Sequence, residues 1–193
     1  MIKRDDALQA LSKFVNEDDL VVAVYQTCFD WLALHPRDLN YVSVGAMGQA
    51  SSHALGLAIG SPGRQVIVLD GDGSLLMNLG SLVTIGETHP EKFLHLVFEN
   101  GVYEVNGNHP IPGQSSVNFA GLAKSAGYIS AYSFDKLVDF KSCLPLLFNA
   151  NGPVMGVIKV VPGKKYPADY EFIHSHAARR KFRKALKKSR LTT

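Results

Sequence analysis

Asp70-Gly71-Asp72-Gly73-Ser74 sets carboxylates beside two glycines, and Asn100-Gly101-Val102-Tyr103 follows one apolar stretch later. A carboxylate, an amide oxygen and a backbone carbonyl are hard donors of the kind Mg²⁺ or Ca²⁺ takes, with the remaining coordination positions left for diphosphate oxygens. Gly71 and Gly73 let the backbone approach a ligand closely. Ser74 has the side chain of a helix N-cap, and a helix N-terminus is a ready anion site. The chemistry these residues suggest is a divalent cation holding a phosphorylated ligand.

Such groups work only if the fold delivers them to one place. Gln65 to Leu69 is a β-branched, apolar run of the sort buried in a parallel sheet, and it stops at the acidic turn, so Asp72 sits at the carboxyl end of a strand. In doubly wound sheets that edge is where ligands bind. A second strand, Phe93 to Phe98, brings Asn100 to the same edge, and an apolar helix is expected from Leu75 to Thr88, capped by Ser74. Elsewhere the pattern predicts helices over Asp5 to Val15, Phe29 to Ala33, His53 to Gly60, Asn118 to Ala126 and Phe134 to Phe148. Strands are expected over Leu20 to Tyr25, Ile129 to Tyr132 and Pro153 to Val160, with a loop from Gly101 to Ser116. Strands and helices alternating at these lengths specify an α/β three-layer sandwich on a mainly parallel sheet. At 193 residues with 46% hydrophobic content, one core of adequate size is expected. The domain is expected to span 1–170, with 171–193 as a basic helical tail.

Gly71-Asp72-Gly73-Ser74 with Asn100 resembles the motif of the diphosphate-binding domain in thiamine diphosphate-dependent enzymes. The resemblance implies that Asp72, the Asn100 side chain and the main-chain oxygen of Val102 bind Mg²⁺. It further implies that Gly71, Gly73, Ser74 and Tyr103 lie against the cofactor. Val44 to Ser52 resembles the segment that holds the pyrimidine ring, with Met47 at the position of the apolar wedge that folds the cofactor into a V. There the Gly45 carbonyl matches the acceptor for the 4′-amino group, and Ala46 lies between them. Glu99 is a departure, standing where the family often has Asn or Asp. The family's full-length enzymes carry a second domain whose glutamate activates the pyrimidine, and no glutamate of this chain has that context. A separate pyrimidine-domain subunit is therefore expected to supply it.

The stretch from Val97 to Gly107 is most similar to β subunits of sulfopyruvate decarboxylases, then to phosphonopyruvate decarboxylases. The expected function is a subunit of a 2-oxo acid decarboxylase acting on a small anionic substrate. Alternatives are a carboligase or acetolactate synthase-like enzyme, or a cofactor-binding module without catalysis. His109 and His53 are the candidates for gripping an anionic substrate tail.

Composition narrows the setting. Cys28 and Cys143 have no metal-ligand spacing, so free thiols in a reducing, cytoplasmic compartment are expected, and an iron–sulfur oxidoreductase subunit is disfavoured. The opening residues do not read as a signal peptide, and no apolar run reaches membrane-spanning length. Arg179, Arg180, Lys181, Arg183, Lys184, Lys187, Lys188 and Arg190 crowd the last segment, which has no acid after Glu171. No recognition motif accompanies that charge, which argues against nucleic acid as the partner. Phe182, Ala185 and Leu186 could form an apolar stripe that docks on a partner subunit.

Overall fold

A computed structural model describes residues 1–189. In chain order the elements are β1 (Ile2–Lys3), α1 (Arg4–Ser12), β2 (Leu20–Ala23), α2 (Tyr25–Leu34), β3 (Asn40–Tyr41), α3 (Ala50–Gly60), β4 (Val66–Gly71), α4 (Asp72–Leu76) and α5 (Gly80–Thr88). Then come β5 (Phe93–Glu99), β6 (Val102–Tyr103), β7 (His109–Pro110), α6 (Phe119–Ser125), β8 (Ser130–Phe134), α7 (Leu137–Asn149), β9 (Val154–Val161), α8 (Tyr170–His174) and α9 (His176–Ser189).

The main sheet runs β1-β9-β5-β4-β2-β3, with β8 also on β9, and every pair in it is parallel. β4 and β5 lie inside it with strands on both sides and helices on both faces, so their side chains read as an almost unbroken apolar run. Ile67, Leu69, Leu94 and Leu96 face one layer, made by α1, α2 and α7. Val66, Val68, Phe93 and Val97 face the other, made by α3, α4, α5 and α6. Each fully buried Val, Leu or Ile contributes roughly 1.5–3 kcal/mol, so these strands fix the level at which their loops leave the sheet. Asp70 pairs with Val97 and Gly71 with Phe98, while Ala23 pairs with Leu69. The turns after β2, β4 and β5 therefore emerge together at one edge.

Several boundaries differ from expectation. β2 ends at Ala23, and Tyr25 opens α2 with φ +45, so the predicted strand end is a helix start. The helix expected over Leu75 to Thr88 is two helices, and Ser74 lies inside α4, whose N-cap is Gly71. At the break Asn78 Nδ2 donates to the Gly48 carbonyl at 2.9 Å, a tertiary bond that periodicity does not encode. Phe134 ends β8 rather than starting a helix. The expected loop from Gly101 contains the β6–β7 hairpin and a turn of 3₁₀ helix over Glu104–Asn106.

The basic segment folds back on the domain. Ala178 and Phe182 of α9 are buried, Phe182 lies edge-on to Tyr41 at 5.1 Å, and Ala185 and Leu186 pack beside it. The stripe expected to dock on a partner is thus spent inside this chain. Lys181 pairs with Asp38 at 3.0 Å on the surface, where such a pair adds little stability. Arg190 lies outside the described residues.

Candidate functional site

Asp72 opens α4 at the carboxyl edge of the sheet and is only 2% exposed. Its Oδ1 accepts from Gly73 N–H at 2.8 Å and its Oδ2 from Gly101 N–H at 2.6 Å. The second bond ties the β4 turn to the β5 turn. Burial pushes the Asp72 carboxyl above the usual carboxylate range, opposed by the N–H groups of Gly101 and Gly73. A cation would relieve that cost. Asn100 Oδ1 accepts from Val102 N–H at 3.0 Å, an Asx-type turn that keeps the amide oxygen at this edge. Asp70, by contrast, is fully buried, with Oδ1 accepting from Gly71 N–H and Oδ2 3.4 Å from His95 Nε2. It shapes the turn and does not line the cleft.

Gly71, Asp72, Gly73, Ser74, Asn100, Val102, Tyr103 and Met47 line one cleft. At Gly73 an added Cβ would sit 2.6 Å from the Tyr103 ring, so only glycine lets that ring cover the turn. Ser74 Oγ accepts from Gly48 N–H at 3.0 Å, which anchors the Met47 turn to α4. Gly45, with φ +87, and Ala46 lie exposed in that turn, outside the cleft lining. Neither expected substrate histidine lines the cleft. His109 is exposed on β7, and His53 packs against the Tyr41 ring at 5.4 Å, where burial lowers its basicity. Glu99 is held above the ordinary carboxyl range by burial, with Lys159 lowering it and the Asp72 charge raising it, so the departure at this position does place a second carboxyl near the site.

Sequence reasoning missed two parts of the cleft. Tyr25, Gln26 and Thr27 line it from the first turn of α2, whose leading N–H groups have no intrahelical acceptor. The apolar run Leu20 to Ala23, a parallel neighbour of β4, was the available signal, since the turn after it had to reach the same edge. Arg4 and Glu104 also line it. Arg4 Nε donates to Asp30 Oδ2 and Nη1 to Glu104 Oε2, both at 2.6 Å. Burial works against the Arg4 charge, yet its bonds to Glu104 and the Asp30 charge outweigh it and raise the guanidinium above a free arginine. Nothing local in the sequence joins residues so far apart.

The donor set fits a hard cation that brings its own anionic ligand. Among the described residues no group of three or more His, Cys, Asp or Glu could hold a metal. An ion beside Asp72 would therefore rest on one carboxylate and neutral oxygens, and a bound diphosphate would complete its coordination and charge balance. The cysteines form no cluster, Cys28 being buried with its thiol pushed up to about 12 by burial. No helix among the described residues is long and apolar enough to cross a membrane.

Comparison with known proteins places this geometry. The chain is 35% identical over 158 residues to a phosphonopyruvate decarboxylase of Streptomyces viridochromogenes, covering 81% of this chain but only 39% of that protein. It is 30% identical over 188 residues to sulfopyruvate decarboxylase subunit beta of Methanocaldococcus jannaschii, covering 97% of this chain and 98% of the relative. An X-ray structure of a protein from Mycobacterium smegmatis shares the fold with a TM-score of 0.67 at 21% identity, covering 84% of this chain and 32% of that one. The family model for the thiamine pyrophosphate enzyme C-terminal TPP binding domain matches residues 25–158, which run from the first turn of α2 into β9 and contain every glycine turn of the cleft. The oxygen-lined edge of the sheet thus has its explanation in ancestry as well as in chemistry: the chain belongs to the family of C-terminal thiamine pyrophosphate-binding domains.

Proposed function

We propose that this chain is the diphosphate-side, β-type subunit of a thiamine diphosphate-dependent 2-oxo acid decarboxylase of the sulfopyruvate type. It works with a separate pyrimidine-domain polypeptide that contributes the catalytic glutamate. The observation that carries the reading is the Asp72 carboxylate, buried and gripped by both the Gly73 and Gly101 amides, at the edge where the Asn100 and Val102 oxygens also lie. Asp72, the Asn100 side chain and the Val102 carbonyl hold Mg²⁺. Gly71, Gly73, Ser74 and Tyr103 receive the diphosphate, and the free amides at the start of α2 add a positive helix end to the same anion. Met47 is the wedge against which the cofactor rings fold, Ala46 lies beside it, and the Gly45 carbonyl is the acceptor for the pyrimidine amino group. Bound there, thiamine diphosphate supplies the carbon nucleophile and the electron sink for loss of CO₂. This chain's own work is to hold the metal, fix the fold of the cofactor and keep water from the apolar wall of Val24, Phe98 and Met47.

A specific observation favours a second substrate, phosphonopyruvate: the 35% identity over 158 residues to a phosphonopyruvate decarboxylase. The near end-to-end match to a β subunit weighs more for the split assembly. The chain and its partner, reconstituted with Mg²⁺ and thiamine diphosphate, would be given sulfopyruvate and phosphonopyruvate in parallel CO₂-release assays. Preference for sulfopyruvate supports the reading. Preference for phosphonopyruvate overturns the substrate assignment and leaves the decarboxylase class standing, and release from neither removes both substrates.

A further inference from the structure

Arg4 is 3% exposed at the first position of α1, where the neighbouring acids Asp5 and Asp6 do not bond it. A buried guanidinium is tolerated only when paired and hydrogen-bonded. Asp30, itself 1% exposed, meets that need through Arg4 Nε, with Gln26 Nε2 donating to its other oxygen at 2.9 Å. The fork of the guanidinium then goes elsewhere. Nη1 and Nη2 donate to Glu104 Oε2 at 2.6 Å and Oε1 at 3.1 Å, across 100 residues of chain. This bidentate pair fixes the plane of the Glu104 carboxylate. Glu104 Oε2 in turn accepts from Asn100 Nδ2 at 3.0 Å.

We infer that Arg4, acting through Glu104, is a positioning residue that sets which end of the Asn100 amide is offered at the cation site. The inference rests on the proposed cation site at Asp72 and Asn100. The two ends of an Asn amide are nearly equal in shape, so packing alone hardly distinguishes them. An ionised carboxylate only accepts, so the NH₂ end must face Glu104, and the oxygen is left toward the Gly101–Val102 backbone that Asp72 also grips. Turned round, the amide would offer donors to a cation, lose the Val102 N–H and set its oxygen against Glu104. The N-terminal segment, paired to the sheet through β1 on β9, thereby reaches the ligand loop through Glu104.

The test uses the chain assembled with its pyrimidine-domain partner, titrated calorimetrically with Mg²⁺ in the presence of thiamine diphosphate. Thermal midpoints without Mg²⁺ are recorded alongside. Glu104→Met removes the acceptor, while Glu104→Gln keeps a neutral one of the same reach. Glu104→Met is expected to weaken Mg²⁺ roughly tenfold to a hundredfold and Glu104→Gln by less than about threefold, as for partners that orient a metal ligand. Arg4→Lys keeps a charge for Asp30 without the fork and is also expected to weaken Mg²⁺. The double variant Arg4→Lys/Glu104→Met should bind no more weakly than Glu104→Met, because both act on one path. Equal losses in Glu104→Gln and Glu104→Met would show that only the charge matters and overturn the inference. Wild-type affinity in Glu104→Met, or additive losses in the double variant, would overturn it too. Failure of the wild-type complex to bind Mg²⁺ at all would instead remove the cation site.

Discussion

Asp72 serves as a backbone clamp and as the charge of the cleft with one carboxylate, because each oxygen takes one N–H and keeps a lone pair for a cation. Asp72→Ala removes the anion and the bond to Gly101 together. Calorimetric titration of thiamine diphosphate with Mg²⁺ into the assembled complex should then show affinity reduced beyond about a hundredfold, with the thermal transition still cooperative. Unchanged affinity would take Asp72 out of the site. Met47 has a separable task. It lines the cleft from a turn anchored by the Gly48 bond to Ser74, so Met47→Ala leaves the Asp72 and Asn100 oxygens in place. Turnover of the reconstituted enzyme, or exchange of the thiazolium C2 proton, should fall by a larger factor than cofactor affinity. Equal factors would count against the wedge role.

At the scale of elements, the site depends on how closely helices approach each other and the sheet edge. Gly86 in α5 touches the end of α6, where an added Cβ would lie 1.8 Å from the Ala126 carbonyl oxygen, and backbone cannot swing aside as a side chain can. Gly86→Ala should cost on the order of 3 kcal/mol of stability, seen in denaturant unfolding, while cofactor affinity of the folded complex stays near wild type. A neutral result would mean the α5–α6 contact is looser than it stands here. The strand cores were readable from sequence because β4 and β5 are buried on both faces and leave long apolar runs, and the Gly71 to Ser74 turn because its chemistry is local. The break at Met77 and the helical first turn from Tyr25 were not, since the Asn78 bond to Gly48 and the parallel register of β2 on β4 are tertiary facts. Arg4 and Glu104 are invisible in the sequence for the same reason, and His53 and His109 carry suitable chemistry with no local register to place them.

Over the whole molecule, one sheet edge gathers the residues proposed to hold the metal, the diphosphate and the wedge, while the pyrimidine-activating acid is proposed to come from a partner. Glu104 lines the cleft, but its oxygens are occupied by Arg4 and Asn100. Met77, about half exposed, is set against Gly48 beside the Met47 turn. The basic helix α9 takes no part in that face, because its apolar stripe is already buried on Tyr41 and its neighbours. The central claim is that half of the active site comes from another polypeptide. It is tested most directly by CO₂ release from sulfopyruvate with Mg²⁺ and thiamine diphosphate. The assay is run on the purified chain, shown by mass spectrometry to be free of other proteins, and again after the pyrimidine-domain partner is added. The account predicts no turnover from the chain alone, turnover on reconstitution, and loss of that turnover when the partner's catalytic glutamate is changed to Gln although the complex still forms. Robust turnover by the isolated chain would contradict it.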